Sequence, residues 1–185
     1  MTGVQTCALP ISKARAEPVP VGRAVTNALV LIEQRLKLEG VELACALPDP
    51  DVSVVFEDVR LEQVLINLFR NALDAMKGQP VRRLTIAVET GAVETGAGEA
   101  GAGRVRIRVR DTGPGIADDA LPRIFEPFFT TKDAAGLGLG LSISAGIVRD
   151  AGGQLSVVNG PDGAEFVVDL ARAAAGAGNS GRSAA

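Results

Sequence analysis

Hydrophobic positions recur with helical spacing in three stretches of the chain. Between residues 20 and 38 they repeat every three or four positions, and Gly40 follows where a helix would end. A second helix is predicted after Asp58, whose carboxylate can cap its first turn, and it stops at Gly78. A third helix is predicted over residues 139–150. All three are amphipathic, so each should pack one face on a core.

Strand-like stretches are interspersed with these helices. Several alternate hydrophobic and polar residues, as in R-V-R-I-R-V-R, which is typical of strands with one buried face. A short helix is also expected near residues 118–124. The mixture predicts an α+β fold: a mixed, mostly antiparallel sheet with helices on one face. The predicted strands are 41–47, 52–56, 84–89, 104–110, 154–159 and 164–170.

Three segments do not fit a folded core. Residues 1–12, back-translated, resemble a sequencing-adapter oligonucleotide, so we interpret them as non-native and expect the gene to continue upstream. The Gly- and Ala-rich stretch between the strands 84–89 and 104–110 is expected to form a long, mobile hairpin connection. The tail 173–185 is expected to be disordered. One domain is therefore predicted over residues 13–172.

Composition excludes several classes of function. The chain has 185 residues, a net charge of −3, two cysteines and no histidine. It therefore offers no basic surface for nucleic acid, no disulfide framework and no histidine for catalysis or metal binding. The hydrophobic runs are too short to cross a membrane. We expect a cytoplasmic setting for this chain, and the sequence leaves open whether the whole protein is anchored in the inner membrane.

The second predicted helix carries a polar stripe. Asn67, Asn71 and Asp74 lie at i, i+4 and i+7, so they share one helix face, and Arg70 lies beside it. Amide and carboxylate oxygens are ligands for hard cations, while amide hydrogens and a guanidinium suit phosphate. A solvated polar face would show the same pattern, although asparagine is unfavourable inside a helix.

The stretch D-T-G-P-G-I directly follows the predicted strand 104–110. Gly113 and Gly115 permit positive φ and let a ligand approach the backbone. Asp111 offers an acceptor for an exocyclic amino group. Turns of this composition are also common where no ligand binds.

Two further stretches follow, F-E-P-F-F-T-T-K at 125–132 and G-L-G-L-G-L-S-I-S at 136–144. The phenylalanines suit a hydrophobic anchor for a loop, and Lys132 can face phosphate. The glycines precede a helix, so backbone N–H groups and the positive helix end can meet phosphate oxygens, although a flexible hinge would look similar. Rossmann and P-loop spacings are absent.

Together and in this order, the four stretches resemble the N box, first glycine box, F box and second glycine box of sensor histidine kinases. The resemblance is to their C-terminal catalytic ATP-binding domain, in the superfamily of DNA gyrase B, Hsp90 and MutL, and covers residues 19–170. It implies a Bergerat-type, two-layer α/β sandwich. The segments G-L-G-L-G-L-S-I-S and I-V-R-D-A-G-G are most similar to those of C4-dicarboxylate-transport or nitrogen-regulation sensors.

The resemblance implies a role for each matching position. Asp111 would accept the adenine amino group, and Gly115 would keep the wall beside the base open. Asn71 would give its side-chain oxygen to Mg²⁺, with Asn67 assisting at the metal or the phosphates. Catalytic candidates are Asn67, Arg70 and Lys132, and further nucleotide contacts are implied for Asp74, Gly113, Ile116, Thr131, Gly136, Leu137, Gly138, Leu139, Gly140 and Leu141.

The implied function is donation of the γ-phosphoryl group of Mg²⁺-ATP to a histidine. That histidine would lie on an upstream dimerisation domain of a homodimeric whole protein, and a response regulator would act downstream. This chain alone is therefore not expected to phosphorylate itself. Gyrase-like relatives have a water-activating glutamate at the position of Asn67. Because an asparagine cannot act as a base, its presence favours phosphoryl transfer over hydrolysis. The alternatives are an ATP-sensing module without transferase activity and a serine-directed kinase similar to the anti-sigma-factor kinases.

Overall fold

The computed structural model describes residues 17–47, 52–91, 103–131 and 137–174. It contains the three helices that hydrophobic periodicity predicts, α1 (Val21–Leu38), α2 (Asp58–Ala75) and α3 (Gly140–Asp150). The segment 1–12, predicted to be non-native, the 92–102 connection and residues 175–185 lie outside the described residues. The strands are β1 (Glu17–Pro20), β2 (Glu42–Ala46), β3 (Ser53–Phe56), β4 (Arg83–Gly91), β5 (Arg104–Arg110), β6 (Gln154–Asn159) and β7 (Ala164–Ala171).

Five strands form one mixed sheet in the order β2-β4-β5-β7-β6. Only the β2–β4 pair is parallel, and the other three pairs are antiparallel. Along β5 the hydrophobic residues are buried and the arginines alternate with them on the opposite face. The helices lie against the buried face, so the predicted α+β fold, with a mostly antiparallel sheet and helices on one side, is confirmed.

The arginines of β5 form ion pairs across the face of the sheet that faces away from the helices. Each pairs with a carboxylate of a neighbouring strand or of the β6–β7 turn, and most of these side chains are partly exposed to water. Exposed pairs of this kind contribute only about 0–1 kcal/mol each, but they keep this face polar. The pairs are Arg104 and Arg106 with Asp169, Arg108 with Glu89 and Glu165, and Arg110 with Asp162.

Helix α2 is the central element of the helical layer. It packs on α1, on α3 and on the sheet. Leu65, Leu68 and Leu73 are fully buried, as the sequence pattern predicts. Because these residues occupy the core-facing side of α2, its polar stripe is turned away from the core. The fold therefore positions Asn67 and Asn71 at the edge of the helical layer.

A second, smaller sheet joins the beginning and the end of the described chain. Strand β1 pairs antiparallel with β3, so the predicted strand at 52–56 exists but lies outside the main sheet. On the other side of β3, Val54 bridges to Arg172. The N–H of Ala173 donates to the Ser53 carbonyl at 2.8 Å. The tail predicted from Ala173 thus begins with a buried residue that is hydrogen-bonded to the domain.

Two local predictions are wrong. The first concerns Asp58, which was expected to cap α2. The N-cap is Glu57, which makes no side-chain capping bond, and Asp58 is the first helical residue. Its Oδ2 instead accepts a hydrogen bond from Arg23 of α1 at 2.7 Å. Packing of α1 against α2 brings this cation within reach, and an ion pair replaces the cap.

The second wrong prediction is the short helix near 118–124. This stretch is a series of turns, in which the N–H groups of Ala120 and Arg123 donate to carbonyls three residues earlier, at 2.9 and 2.8 Å. Pro122 has no N–H to continue a helix and disfavours helical geometry at Leu121. Ala120 and Ile124 are buried, but proline prevents a regular α-helix.

Candidate functional site

The four stretches singled out in the sequence converge on one cavity of about 850 Å³. Its volume lies within the range of small-molecule sites. The polar stripe of α2 forms one side, and the loop after β5 forms another. The described lining is Asn67, Arg70, Asn71, Asp74, Ala75, Asp111, Pro114, Gly115, Ile116, Ala117, Ile124, Phe129, Thr130, Thr131, Leu137, Gly138, Leu139, Gly140, Leu141, Ala164 and Phe166.

Asp111 is a buried carboxylate in the wall of this cavity, with only 2% of its surface exposed. Its backbone N–H donates to the carbonyl of Ala164 at 3.0 Å, which continues the β5–β7 pairing. Its Oδ1 accepts the N–H of Gly113 at 2.8 Å and, more distantly, that of Ala164 at 3.5 Å. Oδ2 receives no hydrogen bond from the described residues. It is therefore the oxygen left for a donor on a ligand.

Burial raises the pKa of the Asp111 carboxyl above its ordinary value, and the N–H groups of Gly113 and Ala164 offset part of that rise. Between the ordinary and the raised pKa the folded protein binds more proton than the unfolded chain. Folding stability from this group therefore falls as pH increases through that interval. The two N–H groups engage only Oδ1, and a ligand amino group can donate a hydrogen bond to Oδ2 of the ionised carboxylate.

Two glycines make room for Asp111. A Cβ on Gly113 would lie 2.8 Å from Asp111 Oδ1 and 3.0 Å from the carbonyl oxygen of Ala75. A Cβ on Gly163 would overlap the carbonyl oxygen of Asp111 and lie 2.9 Å from its carbonyl carbon. Gly113 was predicted at the site, and it lies behind the carboxylate. Gly163 was missed, because G-P-D-G indicates only a hairpin turn in the sequence.

Asn67 and Asn71 lie one helical turn apart, on the side of α2 that faces the cavity. The Nδ2 of Asn67 donates to Ser144 Oγ at 3.2 Å and to the Gly140 carbonyl at 3.4 Å, both on α3. These bonds occupy the NH₂ group, so the Oδ1 of Asn67 is the end of the amide left for a ligand. Ser144 is fully buried. Sequence reasoning missed this contact, which exists only because α3 packs on α2.

The two charged residues of the α2 stripe differ in their surroundings. Arg70 lines the cavity and is exposed, as expected of a side chain that reaches a phosphate. Asp74 also lines the cavity, but its Oδ1 lies 2.5 Å from Arg35 and 2.9 Å from Lys77. These two cations engage the carboxylate from outside the cavity. The predicted nucleotide contact of Asp74 stays a prediction.

The F-box and second glycine stretches are joined at the mouth of the cavity. The N–H of Phe128 donates to the Gly138 carbonyl at 3.0 Å. Gly138 has φ +65°, and a Cβ there would lie 2.5 Å from the carbonyl carbon of Phe128, so only glycine fits. Thr131 lies at the mouth, as do Leu137, Leu139, Gly140 and Leu141. Lys132 and Gly136 lie outside the described residues, and their predicted roles stay predictions.

The described residues contain neither a membrane-spanning helix nor a metal-binding cluster of cysteine or acidic side chains. Within residues 17–47, 52–91, 103–131 and 137–174, no helix is both long and apolar enough to span a bilayer. The same part of the chain holds no cluster of three or more cysteine or acidic side chains arranged for a metal.

Comparisons with known proteins agree with the fold. The sequence profile of the histidine kinase-, DNA gyrase B- and HSP90-like ATPases matches residues 57–174. Among solved structures, the catalytic domain of histidine kinase ThkA superposes with a TM-score of 0.71 at 29% identity, covering 84% of this chain and 97% of that domain. A further structure holds ThkA in complex with response regulator protein TrrA.

Curated relatives are sensor proteins of two-component systems. The two-component sensor PprA of Pseudomonas aeruginosa is 40% identical over 88% of this chain and 17% of its own length. The C4-dicarboxylate transport sensor DctB of Rhizobium meliloti is 40% identical over 85% of this chain and 24% of its own length. The chain thus spans a quarter or less of these relatives, and their equal identities single out no sensor type.

The family profile covers more than half of the chain, and the ThkA catalytic domain matches it almost from end to end. The buried carboxylate, the paired asparagines and the glycine-rich mouth occupy one cavity in that fold. The chain belongs to the histidine kinase-, DNA gyrase B- and HSP90-like ATPase family, as a catalytic ATP-binding domain of the sensor histidine kinase type.

Proposed function

We propose that this chain binds Mg²⁺-ATP in the 850 Å³ cavity and donates the γ-phosphoryl group to a histidine on another domain. One observation carries the proposal. A buried carboxylate with one unengaged oxygen shares a cavity with two asparagines and an exposed arginine. The carboxylate suits the amino group of adenine, and the asparagines and the arginine suit a triphosphate and its cation.

The two ends of the cavity fit the two ends of the nucleotide. The lining includes the apolar side chains of Ile116, Ile124 and Phe166, which suit a flat base. On α2 the lining is polar. The start of α3 at Gly140 also faces the cavity, and the first N–H groups of a helix are natural partners for phosphate oxygens. The base and the phosphates would therefore bind at opposite ends.

Mg²⁺ would be held by the side-chain oxygens of Asn71 and Asn67. The Nδ2 of Asn67 is already bonded to α3, which leaves its oxygen for this purpose. A few protein ligands suffice, because Mg²⁺ keeps several waters and binds substrate phosphates. When bound, the ion neutralises charge on the β- and γ-phosphates.

Phosphoryl transfer fits the site better than hydrolysis of ATP. A water-activating base must be a free carboxylate or an equivalent group near the γ-phosphate. The described lining has two carboxylates, Asp74 and Asp111. Asp74 is paired with Arg35 and Lys77, and Asp111 lies at the base end. The amide of Asn67 cannot accept a proton at neutral pH.

The reaction would be a direct displacement at the γ-phosphorus. An imidazole nitrogen of the acceptor histidine forms the new P–N bond, the bond to the β-γ bridging oxygen breaks, and ADP leaves with that oxygen. The protein contributes position and charge stabilisation, for which Arg70 and Lys132 are the candidates. The relatives are named as histidine kinases or two-component sensors, which favours histidine over serine as the acceptor.

The partners proposed for this domain lie outside the chain. The acceptor histidine would be carried by a dimerisation domain of the whole protein, which we propose to be a homodimer. A response regulator would receive the phosphoryl group next, by analogy with ThkA, which has been crystallised with the regulator TrrA. Because ATP is a cytoplasmic metabolite, we place this domain in the cytoplasm.

Binding of Mg²⁺-ATP is expected to stabilise the folded chain. At ten times the dissociation constant, a ligand specific for the folded state adds about 1.4 kcal/mol to the free energy of unfolding. For a domain of this size that corresponds to a rise of about 3–6 °C in Tm. Differential scanning fluorimetry with Mg²⁺-ATP, and with Mg²⁺-GTP as the control, measures it. An unchanged Tm at millimolar Mg²⁺-ATP would contradict the proposed function.

The isolated chain is expected to incorporate no phosphate from γ-labelled ATP, because it contains no histidine. Adding a separate histidine-bearing dimerisation domain should produce labelling of that domain that is stable to alkali and labile to acid. Gel autoradiography after acid and alkali treatment distinguishes the two cases. Acid-labile label on the isolated chain would contradict the expectation.

A further inference from the structure

Asn159, the last residue of β6, makes a reciprocal pair of hydrogen bonds with one residue of the cavity wall. Its Oδ1 accepts the backbone N–H of Ile116 at 2.9 Å, and its Nδ2 donates to the carbonyl of the same residue at 2.7 Å. Asn159 itself is exposed and is not part of the cavity lining. It therefore touches the wall from behind.

The wall in question has no regular secondary structure. Pro114, Gly115, Ile116 and Ala117 all line the cavity. On one side the segment is anchored where Gly113 donates to Asp111, and on the other the carbonyl of Ala117 accepts two turn hydrogen bonds. Between these anchors, in the part of the chain that the structure describes, the hydrogen bonds of residues 114–116 both come from Asn159.

The contact is close as well as reciprocal. Gly115 has φ +75°, and a Cβ on it would lie 3.0 Å from Asn159 Oδ1. Glycine at this position thus lets the backbone of the wall approach β6 closely enough for both hydrogen bonds to form. The sequence explains Gly115 as a residue that gives space to the ligand, whereas the structure shows that it also gives space to Asn159.

We propose that Asn159 is a positioning residue for the nucleotide base. By fixing the peptide groups on both sides of Ile116, it would hold the side chain of that residue, and with it the apolar wall, at the distance from Asp111 that a purine needs. It acts through Ile116 and touches no ligand. The inference rests on the proposed function, because it assumes that the base binds beside Asp111.

The chemistry of the pair explains why an asparagine is required. A primary amide presents one acceptor and one donor side by side, which matches the N–H and C=O of a single residue. An aspartate could accept from Ile116 N–H, but its second oxygen would face the Ile116 carbonyl, where Nδ2 now donates at 2.7 Å. A serine has one oxygen and cannot make both bonds with this spacing.

The test compares Asn159→Ala and Asn159→Asp with the wild-type chain. Asn27→Ala is the matched control, since Asn27 is also exposed and makes one side-chain hydrogen bond, to Glu62 on the α1–α2 surface. Dissociation constants are measured for Mg²⁺-ATP and for adenosine, which has the base but no phosphates. Far-UV circular dichroism and Tm without ligand report the folded fraction of each variant.

Asn159→Ala is expected to weaken both ligands by the same factor, about 5-fold, the effect of about one net hydrogen bond. Asn159→Asp should weaken them at least as much, while Asn27→Ala leaves both unchanged. Hydrogen exchange of the Ile116 amide should accelerate in both Asn159 variants and not in the control. These results together would support the assignment.

Four outcomes would overturn the inference. If Asn159→Ala bound both ligands with wild-type affinity, the inference would be wrong and the proposed function would stand. The same holds if the variant bound Mg²⁺-ATP more weakly but adenosine with unchanged affinity. A loss of affinity matched by a loss of folded protein would make Asn159 a purely structural residue. If the wild-type chain bound neither ligand, the proposed function would fail together with the inference.

Discussion

Asp111→Asn is expected to weaken Mg²⁺-ATP binding at least about 100-fold without harming the fold. The amide can keep its oxygen on the Gly113 N–H, where Asp111 Oδ1 now accepts at 2.8 Å. Its NH₂ group then takes the place of Oδ2 and presents a donor to the adenine amino group. The charge-assisted hydrogen bond from the adenine amino group to the carboxylate is then replaced by two donors that face each other. A site that is built to hydrogen-bond one polar group strongly rejects a partner that cannot make that bond.

The stability of this variant distinguishes a binding role from a structural one. Burial raises the pKa of Asp111, so the ionised carboxylate is unfavourable in the folded protein without ligand. The neutral amide avoids this cost, and the Tm of Asp111→Asn without ligand should equal or exceed that of the wild type near neutral pH. Isothermal titration calorimetry and thermal melts measure the two effects. Asp162→Asn, at an exposed ion pair with Arg110, is the control.

A different result would remove the basis of the proposed site. If Asp111→Asn bound Mg²⁺-ATP with wild-type affinity, the carboxylate would not contact the base. If the variant were unfolded, Asp111 would be a structural residue whose hydrogen bonds maintain the β5–β7 junction. Retained folding with lost binding is the expected combination.

Gly163→Ala is expected to lower the free energy of unfolding by about 3 kcal/mol and to impair nucleotide binding in the protein that remains folded. The added Cβ would overlap the carbonyl oxygen of Asp111 and lie 2.9 Å from its Oδ1. Backbone atoms of paired strands cannot move aside as a flexible side chain does. Relief of the overlap must shift β7 against β5 and displace the carboxylate.

Gly160→Ala in the same β6–β7 turn is the matched control. A Cβ there would come no closer than 3.5 Å to its nearest neighbour, the Gly163 carbonyl oxygen, which is ordinary contact. Urea denaturation should therefore give a stability near that of the wild type for Gly160→Ala and a much lower midpoint for Gly163→Ala. Equal stabilities of the two variants would show that the junction tolerates a side chain at both positions.

Most of the fold could be predicted from periodicity. The three long helices and the strands at 84–89, 104–110, 154–159 and 164–170 appear close to their predicted bounds, because each has a repeating hydrophobic face that requires burial. Strand β1 was not predicted, since four residues containing two prolines have no detectable period. The two hairpins, β4–β5 and β6–β7, were predicted from their connections. The pairing of β5 with β7 and of β2 with β4 was not, because it depends on contacts between distant segments.

The candidate site shows the same division. Asp111, Asn67 and Asn71 were predicted because their residue types and spacing carry a chemical signature, and the cavity contains all three. Residues that act on them from other elements were missed. Ser144 and Asn159 lie 77 and 43 residues from their hydrogen-bond partners Asn67 and Ile116. Ser144 ends the stretch G-L-G-L-G-L-S-I-S, but spacing along the chain reveals neither of these contacts.

The sequence by itself determined the family, the helices and the residues able to contact a nucleotide, because these depend on local periodicity and on side-chain chemistry. Only the tertiary structure decided how those residues are oriented. It placed Gly163 against Asp111, Ser144 against Asn67 and Asn159 behind Ile116. Hydrogen bonding and close packing act over about 3–4 Å in space, whatever the separation along the chain, so contacts of this kind arise only when the sheet and helices assemble.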